Sequence, residues 1–251
     1  MIARFKIFAI LPGNDLRDAI KLQEDLQKTK ILLLGAGGVG SYLSLGLAQI
    51  GVGEIHLIDF DYIELSNTSR QVLYREKDIG LSKIDVAVKN LKEVAPDSLI
   101  VGHNQNIENV EQLFTEFQNI NFNLIVVAAD KPIGQIHRLM AEYSDKTSTP
   151  ILYGSPYAQG KIYLGPLLIP GKTRSFNELF PEDYIKNDNL EIKKLNDNNI
   201  SAIVDTDNSL SAKMMEVEII KFIGKKQKSD VIESQIILNT SDWDLQKINL
   251  G

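Results

Sequence analysis

The fold is decided by Lys30-Ile-Leu-Leu-Leu34, Gly35-Ala-Gly-Gly-Val-Gly40, the run Ser41 to Ile50, and Glu54-Ile-His-Leu-Ile-Asp59. Lys30 to Leu34 is a short continuous apolar run, the pattern of a strand buried on both faces. The glycines come directly after it, Ser41 to Ile50 is mostly apolar at helical length, and Glu54 to Asp59 is a second strand ending in an acid. Strand, GxGxxG, helix, strand and acid make the mononucleotide half of a Rossmann unit. In such a unit Gly35 permits the tight turn, Gly37 lets backbone amides approach a phosphate, and Gly40 lets the helix pack on the strand. Asp59 is placed to accept hydrogen bonds from a ribose.

Working outward, Asp15 to Thr29 predicts a helix before the first strand. After the second strand the chain predicts a helix from Ser82 to Val94 closed by Pro96, a strand at Leu99 to Val101 and a helix at Val110 to Gln118. A buried strand at Asn123 to Ala129 comes next, ending in Asp130, then a helix at Gly134 to Ser144 and a strand at Pro150 to Tyr153. Strands alternating with helices imply a doubly wound, mainly parallel α/β sheet with right-handed crossovers. After Tyr153 the rhythm changes. Lys161 to Ile169 predicts an antiparallel strand interrupted at Gly165-Pro166, and Arg174 to Asn199 a long mobile crossing loop with one helical turn. Ser209 to Ile223 returns to helix, and Ser234 to Asn239 and Trp243 to Ile248 are closing strands. The expected organisation is an amino-terminal extension and helix over 1–29 and one domain over 30–251. That domain divides into a nucleotide-binding half, 30–153, and a substrate half, 154–251, containing the loop 174–199.

Composition narrows the classes. With 27 Lys and Arg against 33 Asp and Glu the net charge is −6, which argues against a general nucleic-acid binder. No apolar run is long enough to cross a membrane, and the first 15 residues lack a small-residue cleavage site, so a cytoplasmic location is expected. Cysteine is absent, which excludes disulfides, thiolate zinc sites and covalent thioester chemistry on this chain. His56, His103 and His137 show no metal-ligand spacing and read as structural or surface residues. The run Gly224-Lys-Lys-Gln-Lys228 reads as neutralising a helix carboxyl end.

The glycine motif alone would suit a nicotinamide enzyme; the residues after Asp59 do not. Asp59-Phe-Asp61-Tyr-Ile-Glu-Leu-Ser-Asn67-Thr-Ser-Arg70-Gln71, then Asp78-Ile-Gly-Leu-Ser-Lys83, puts an amide, a guanidinium and an ammonium at the carboxyl edge of the sheet, where ligands of open α/β folds bind. Such a set suits a triphosphate undergoing chemistry. An acid at Asp130 facing a triphosphate needs a cation, and magnesium is the usual bridge.

GxGGxG, IDFD, SNxxRQ and DxGxxK at these spacings resemble the ThiF/MoeB/ubiquitin-activating-enzyme superfamily of ATP-dependent adenylating enzymes, densely from Gln23 to Pro150 and more loosely beyond. The resemblance implies that Gly35, Gly37, Gly38 and Gly40 cradle ATP, with Asp59 as the ribose acid. It implies that Asn67, Arg70 and Lys83 hold the phosphates, with Gln71 beside them and Asp61 in support, and that Asp130 organises magnesium and the α-phosphate. The implied chemistry is attack of a substrate carboxylate on the α-phosphorus with pyrophosphate leaving; no base is required, because a carboxylate is ionised near pH 7.

Members that pass an activated protein onward through sulfur need cysteine, and many carry two CxxC pairs for zinc. Here Pro170 to Leu179 stands where the first pair would fall, so no zinc site is expected. Ile125 to Pro132, Gly165 to Thr173 and Val217 to Gly224 resemble the branch that adenylates microcin-type peptide antibiotics. The substrate implied is a short peptide or a protein carboxyl end, and a homodimer is implied by the family. Arg4 and Arg17 are the candidates for a partner-supplied arginine, and Phe5 to Leu11 reads as an edge strand. Two other readings stand beside this one. The first is a tRNA threonylcarbamoyladenosine dehydratase-like enzyme, which would need a basic face for tRNA. The second is a nicotinamide oxidoreductase or a non-catalytic nucleotide-binding partner.

Overall fold

The structure, a computed structural model, describes residues 15–129, 135–157, 160–181 and 203–251. Asp130, Arg4, the run Phe5 to Leu11 and most of the expected crossing loop lie outside the described residues.

The chain enters through α1 (Leu16–Lys28), which Asp15 and Asp18 close with reciprocal side-chain to backbone hydrogen bonds of 2.9 and 3.0 Å. Five strands then alternate with helices. They are β1 (Lys30–Leu34), β2 (Glu54–Asp59), β3 (Leu99–Asn104), β4 (Leu124–Val127) and β5 (Ile151–Tyr157). The helices between them are α2 (Gly38–Ile50), α3 (Lys83–Val94), α4 (Val110–Phe117) and α5 (Gln135–Thr147). Two 3-10 turns, Leu65–Asn67 and Glu76–Asp78, shape the link from β2 to α3. Beyond β5 come β6 (Lys161–Leu168), the short α6 (Phe176–Leu179), the long α7 (Asp205–Gly224) and the hairpin β7 (Ser234–Asn239) and β8 (Asp244–Asn249).

These strands make one eight-stranded sheet in the order β3-β2-β1-β4-β5-β6-β7-β8, parallel from β3 to β5 and antiparallel from β5 to β8. Both faces are covered, which is why β1 reads as unbroken apolar sequence. Ile31 and Leu33 point into a core with Leu22, Leu26, Leu43, Leu47, Leu91, Met215 and Ile219, from α1, α2, α3 and α7. Leu32 and Leu34 point the other way, into a core with Leu113, Phe117, Met140, Tyr143 and Phe176 from α4, α5 and α6. The period-two alternation of the strand has a helix layer waiting on each side.

β6 runs through Gly165-Pro166, where the sequence predicts a break. Its pairing to β5 shifts register between Leu152 and Gly154, leaving Gly165 and Pro166 outside the ladder. A proline has no N–H to give there, and Gly165, at φ +93°, makes the bend.

At the amino end of β2 a polar chain crosses three strands. Lys30 Nζ lies 2.9 Å from Glu54 Oε2, and Glu54 Oε1 lies 2.8 Å from His56 Nε2. His56 Nδ1 lies 2.9 Å from His103 Nε2, and His103 Nδ1 lies 2.7 Å from Glu116 Oε1. Phe117 and Phe122 pack edge-on against His56. Burial pushes the His56 pKa below its usual value, against the pull of Glu54. Burial also pushes the Glu54 carboxyl up, but hydrogen bonds from Lys30 and His56 outweigh it and hold it below its ordinary range.

Candidate active site

The site forms at the carboxyl ends of β1 and β2. Gly35 takes φ +95°, and a Cβ there would stand 2.8 Å from the Ala128 carbonyl oxygen, so the loop turns tightly against the end of β4. α2 starts at Gly37 with no side chain capping its first amides, and a Cβ on Gly40 would overlap the Gly35 carbonyl oxygen. An uncapped helix start behind a glycine turn leaves N–H groups and the positive end of a helix dipole facing outward, which suits a phosphate.

Asp59 ties the loop down. Its Oδ2 accepts from the Ala36 amide at 2.7 Å and its Oδ1 from the Asp61 amide at 2.9 Å. A carboxylate has about four acceptor positions, so both oxygens still have room for ribose hydroxyls. Asp61 in turn accepts from Lys83 Nζ at 2.8 Å; the lysine side chain is only 7% exposed while that of Asp61 is 54% exposed. Lys83 is the first residue of α3, and its amide donates to the Asp61 carbonyl at 3.0 Å. Lys83 is thereby held from two sides.

Asn67 is buried in the first 3-10 turn, where its Oδ1 accepts from the Glu64 amide at 3.0 Å and its Nδ2 lies 3.4 Å from Ser66 Oγ. Arg70 comes three residues later, its amide bonded to the Asn67 carbonyl at 3.0 Å; among the described residues its half-buried guanidinium has no partner. Gln71 is buried, its Nε2 is 3.8 Å from where a Cβ on Gly37 would lie, and its Oε1 is enclosed without a hydrogen bond among the described residues. Asp130 lies outside the described residues, beyond the end of β4 that abuts Gly35.

The sequence reading missed three supports. Tyr74 is buried, donates from its hydroxyl to the Ala36 carbonyl at 2.8 Å, and titrates well above the usual tyrosine value because of burial and then the nearby Asp59 and Asp61. The signal was present as an aromatic residue three positions after Gln71, on a stretch too short to show periodicity. Asn208 of α7 packs on Gly38, which explains why a side chain there is excluded. One turn further into α2, the Tyr42 hydroxyl donates to Asp205, and burial with that bond raises the Tyr42 pKa to about 12. No local pattern announces these contacts, because they join the two ends of the domain.

Comparison with known proteins agrees with this geometry. The adenylyltransferase and sulfurtransferase uba4 of Aspergillus niger is 39% identical over 115 residues, 45% of this chain and 23% of that protein. The Nedd8-activating enzyme E1 catalytic subunit of Drosophila melanogaster is 36% identical over 108 residues, 43% of this chain and 23% of that protein. The chain thus spans about a quarter of the length of the curated relatives it matches. Among solved structures, E. coli MccB with AMPCPP and MccA superposes at a TM-score of 0.82 and 28% identity, covering 94% of this chain and 70% of that one. The sequence signature of the ThiF family matches residues 13–250, and the chain belongs to that family.

Proposed function

We propose that this chain activates a carboxyl group with ATP, forming an acyl-adenylate and releasing pyrophosphate, and that its substrate is a short peptide or a protein carboxyl end. The observation that carries the reading is the open polar set around the uncapped start of α2: Arg70 without a partner among the described residues, Gln71 Oε1 without a donor, and Lys83 held in place by Asp61. Family membership and the likeness to MccB, solved with a nucleotide analogue and MccA, support it. Maturation of a ribosomally made peptide natural product, a cytoplasmic location and a homodimer belong to the same proposal.

In this reading the amides after Gly37 and the Arg70 and Lys83 side chains neutralise the triphosphate, Asn67 and Gln71 complete the contacts, and Asp59 takes the ribose. Asp130, outside the described residues, is the sequence's candidate for holding a magnesium ion, which would supply charge neutralisation at the phosphates. The chain's own work is positioning and charge, since the substrate carboxylate is already the nucleophile. With no cysteine in the chain, the adenylate passes to a nucleophile other than a thiol of this chain.

Isotope exchange between pyrophosphate and ATP tests the reading. Label enters ATP when the chain is supplied with cognate peptide, and the exchange is lost in Asp130→Ala. Tight binding of NADH with no binding of ATP would overturn it, and salt-sensitive capture of bulk tRNA would move the substrate to RNA.

A further inference from the structure

The run Gly224-Lys-Lys-Gln-Lys228 follows the last turn of α7, and neutralising a helix end accounts for only part of what it does. The Lys221 carbonyl in that turn is taken by the Lys225 amide at 3.0 Å. The ammonium groups turn instead to carboxylates. Lys221 Nζ donates to Glu218 Oε1 and Asp230 Oδ2, each at 2.7 Å, and Lys226 Nζ donates to Asp18 Oδ2 of α1. Between this end of α7 and α1 lies a cleft of about 200 Å³, to which α1 adds Lys21. Gly224 lets the two helices approach, since a Cβ there would stand 3.0 Å from Leu22 Cδ1. Charge is reversed locally, because four lysines and one aspartate line the cleft of a chain whose net charge is −6. With Lys221 and Lys226 answered, Lys21 and Lys225 have no carboxylate among the described residues.

Lys225 is held in a strained conformation. Its φ is +55°, in the left-handed region, where glycine is the unstrained choice at the end of a helix. The glycine stands one residue earlier. Strain kept for a side chain where glycine would serve the backbone better points to a use for that side chain. We propose that the cleft between α1 and the end of α7 is a binding site for a small phosphate-bearing dianion, held by the Lys21 and Lys225 ammonium groups. Two open cations match the charge of about −1.5 to −2 that a phosphate monoester carries at pH 7, and lysine binds phosphate well as a point charge. The volume limits the rest of the ligand. At about 200 Å³ the cleft falls below the range of roughly 300–1,000 Å³ that takes drug-sized molecules, so a phosphoryl group with a small appendage fits and a nucleotide does not. α7 starts on Gly38 and ends at the cleft 20 residues later, a separation of roughly 30 Å, so this is not the nucleotide site.

The site is independent of the ATP reading, and a chain that binds no nucleotide still binds the anion here. Pyrophosphate and glycerol phosphate are titrated calorimetrically at low ionic strength into the wild-type chain, Lys21→Gln, Lys225→Gly, Lys28→Gln and Arg70→Ala, with thermal melts of each. The expected result is a site that survives in Arg70→Ala and Lys28→Gln and weakens about tenfold in Lys21→Gln and in Lys225→Gly. Lys225→Gly also melts about 2 °C higher, because glycine takes the left-handed turn without strain, so binding and stability move in opposite directions. Pyrophosphate bound alone supports the product of the proposed reaction as the occupant, and glycerol phosphate bound as well supports phosphate monoesters in general. Binding that vanishes in Arg70→Ala and is unchanged in Lys21→Gln places the anion at the glycine loop and overturns the proposal. Equal weakening in Lys28→Gln, at the other end of α1, shows a diffuse field in place of a site and overturns it too. Full-strength binding in Lys225→Gly, or no binding of either probe, has the same consequence.

Discussion

The two ends of β2 carry polar networks of similar size that differ in saturation. At the amino end Lys30, Glu54, His56, His103 and Glu116 form a closed chain, each facing atom within 2.9 Å of a partner. At the carboxyl end Asp59, Asp61 and Lys83 are anchored, but Gln71 Oε1 and Gln105 Nε2 are enclosed without partners and Arg70 is unpaired among the described residues. Buried polar atoms are paired in nearly all folded proteins, so a saturated network is structure and an unsaturated one waits for a ligand. Gln23 Oε1 and Ser211 Oγ are also enclosed without partners away from this edge, so the difference teaches that neither buried charges nor single open positions mark a site; open positions gathered with an unpaired guanidinium at a glycine turn do.

Mutations at the two ends should separate accordingly. The largest effect is expected for Arg70→Ala, which should lower pyrophosphate exchange by about 10²-fold or more, the usual cost of removing a group that stabilises transition-state charge. Its unfolding free energy should move by less than about 0.5 kcal/mol. A variant that melts early yet exchanges normally would reverse the assignment of the two ends. Glu54→Leu should do the opposite. It strands Lys30 and the buried His56, and denaturant unfolding should show a loss of about 1–3 kcal/mol with exchange intact below the melt. Lost exchange at full stability would place the amino end in the chemistry.

The strands, the glycine turn and Asp59 were legible because each is written in a few neighbouring residues. Lys30 to Leu34 had to be buried twice over, Gly40 is enforced by its overlap with the Gly35 carbonyl in the same loop, and Gly35 by its positive φ and the nearby Ala128 carbonyl. Family resemblance put Asp61 only in support of the cluster that contains Lys83; their ion pair, across a separation of 22 positions, is written in no local pattern. Three features were not legible. The His56–His103 contact depends on the register of β2 against β3, in which Ile58 rather than His56 faces His103 directly. Tyr74 and Asn208 act on backbone far away in sequence, and side-chain identity does not encode such partners. The continuity of β6 past Pro166 depends on a register shift in its neighbour, which only pairing reveals.

Smaller effects sharpen the contrast. Tyr74→Phe keeps the ring and removes one buried hydrogen bond to the loop; a stability loss of about 1 kcal/mol is expected, with weaker ATP binding read by calorimetry. Unchanged binding would show that Asp59 alone sets the loop. The smallest effect is pH dependence at the closed end. The folded pKa of His56 is depressed by burial, so the unfolded chain binds more protons below its ordinary value near 6.5. The contribution of His56 is fully present above that value and is lost as pH falls toward the folded pKa, and that of Glu54 is lost at lower pH with the same sign. Urea midpoints should therefore fall between about pH 7 and 5.5, and less steeply in His56→Gln; a flat wild-type profile would contradict this.

The contacts of α7 on the glycine loop bear on how the molecule is made. Tyr42 and Asp205 are 163 positions apart, and Asn208 rests on Gly38 beside them. On the ribosome, the first half of the sheet emerges with the phosphate loop already written, yet the helix that roofs it is still untranslated. Closing a loop of that length is a late and slow event in folding. A nascent chain that stops before α7 has the glycines but not their cover, so the loop gains its roof only once residues about 170 positions downstream have been made.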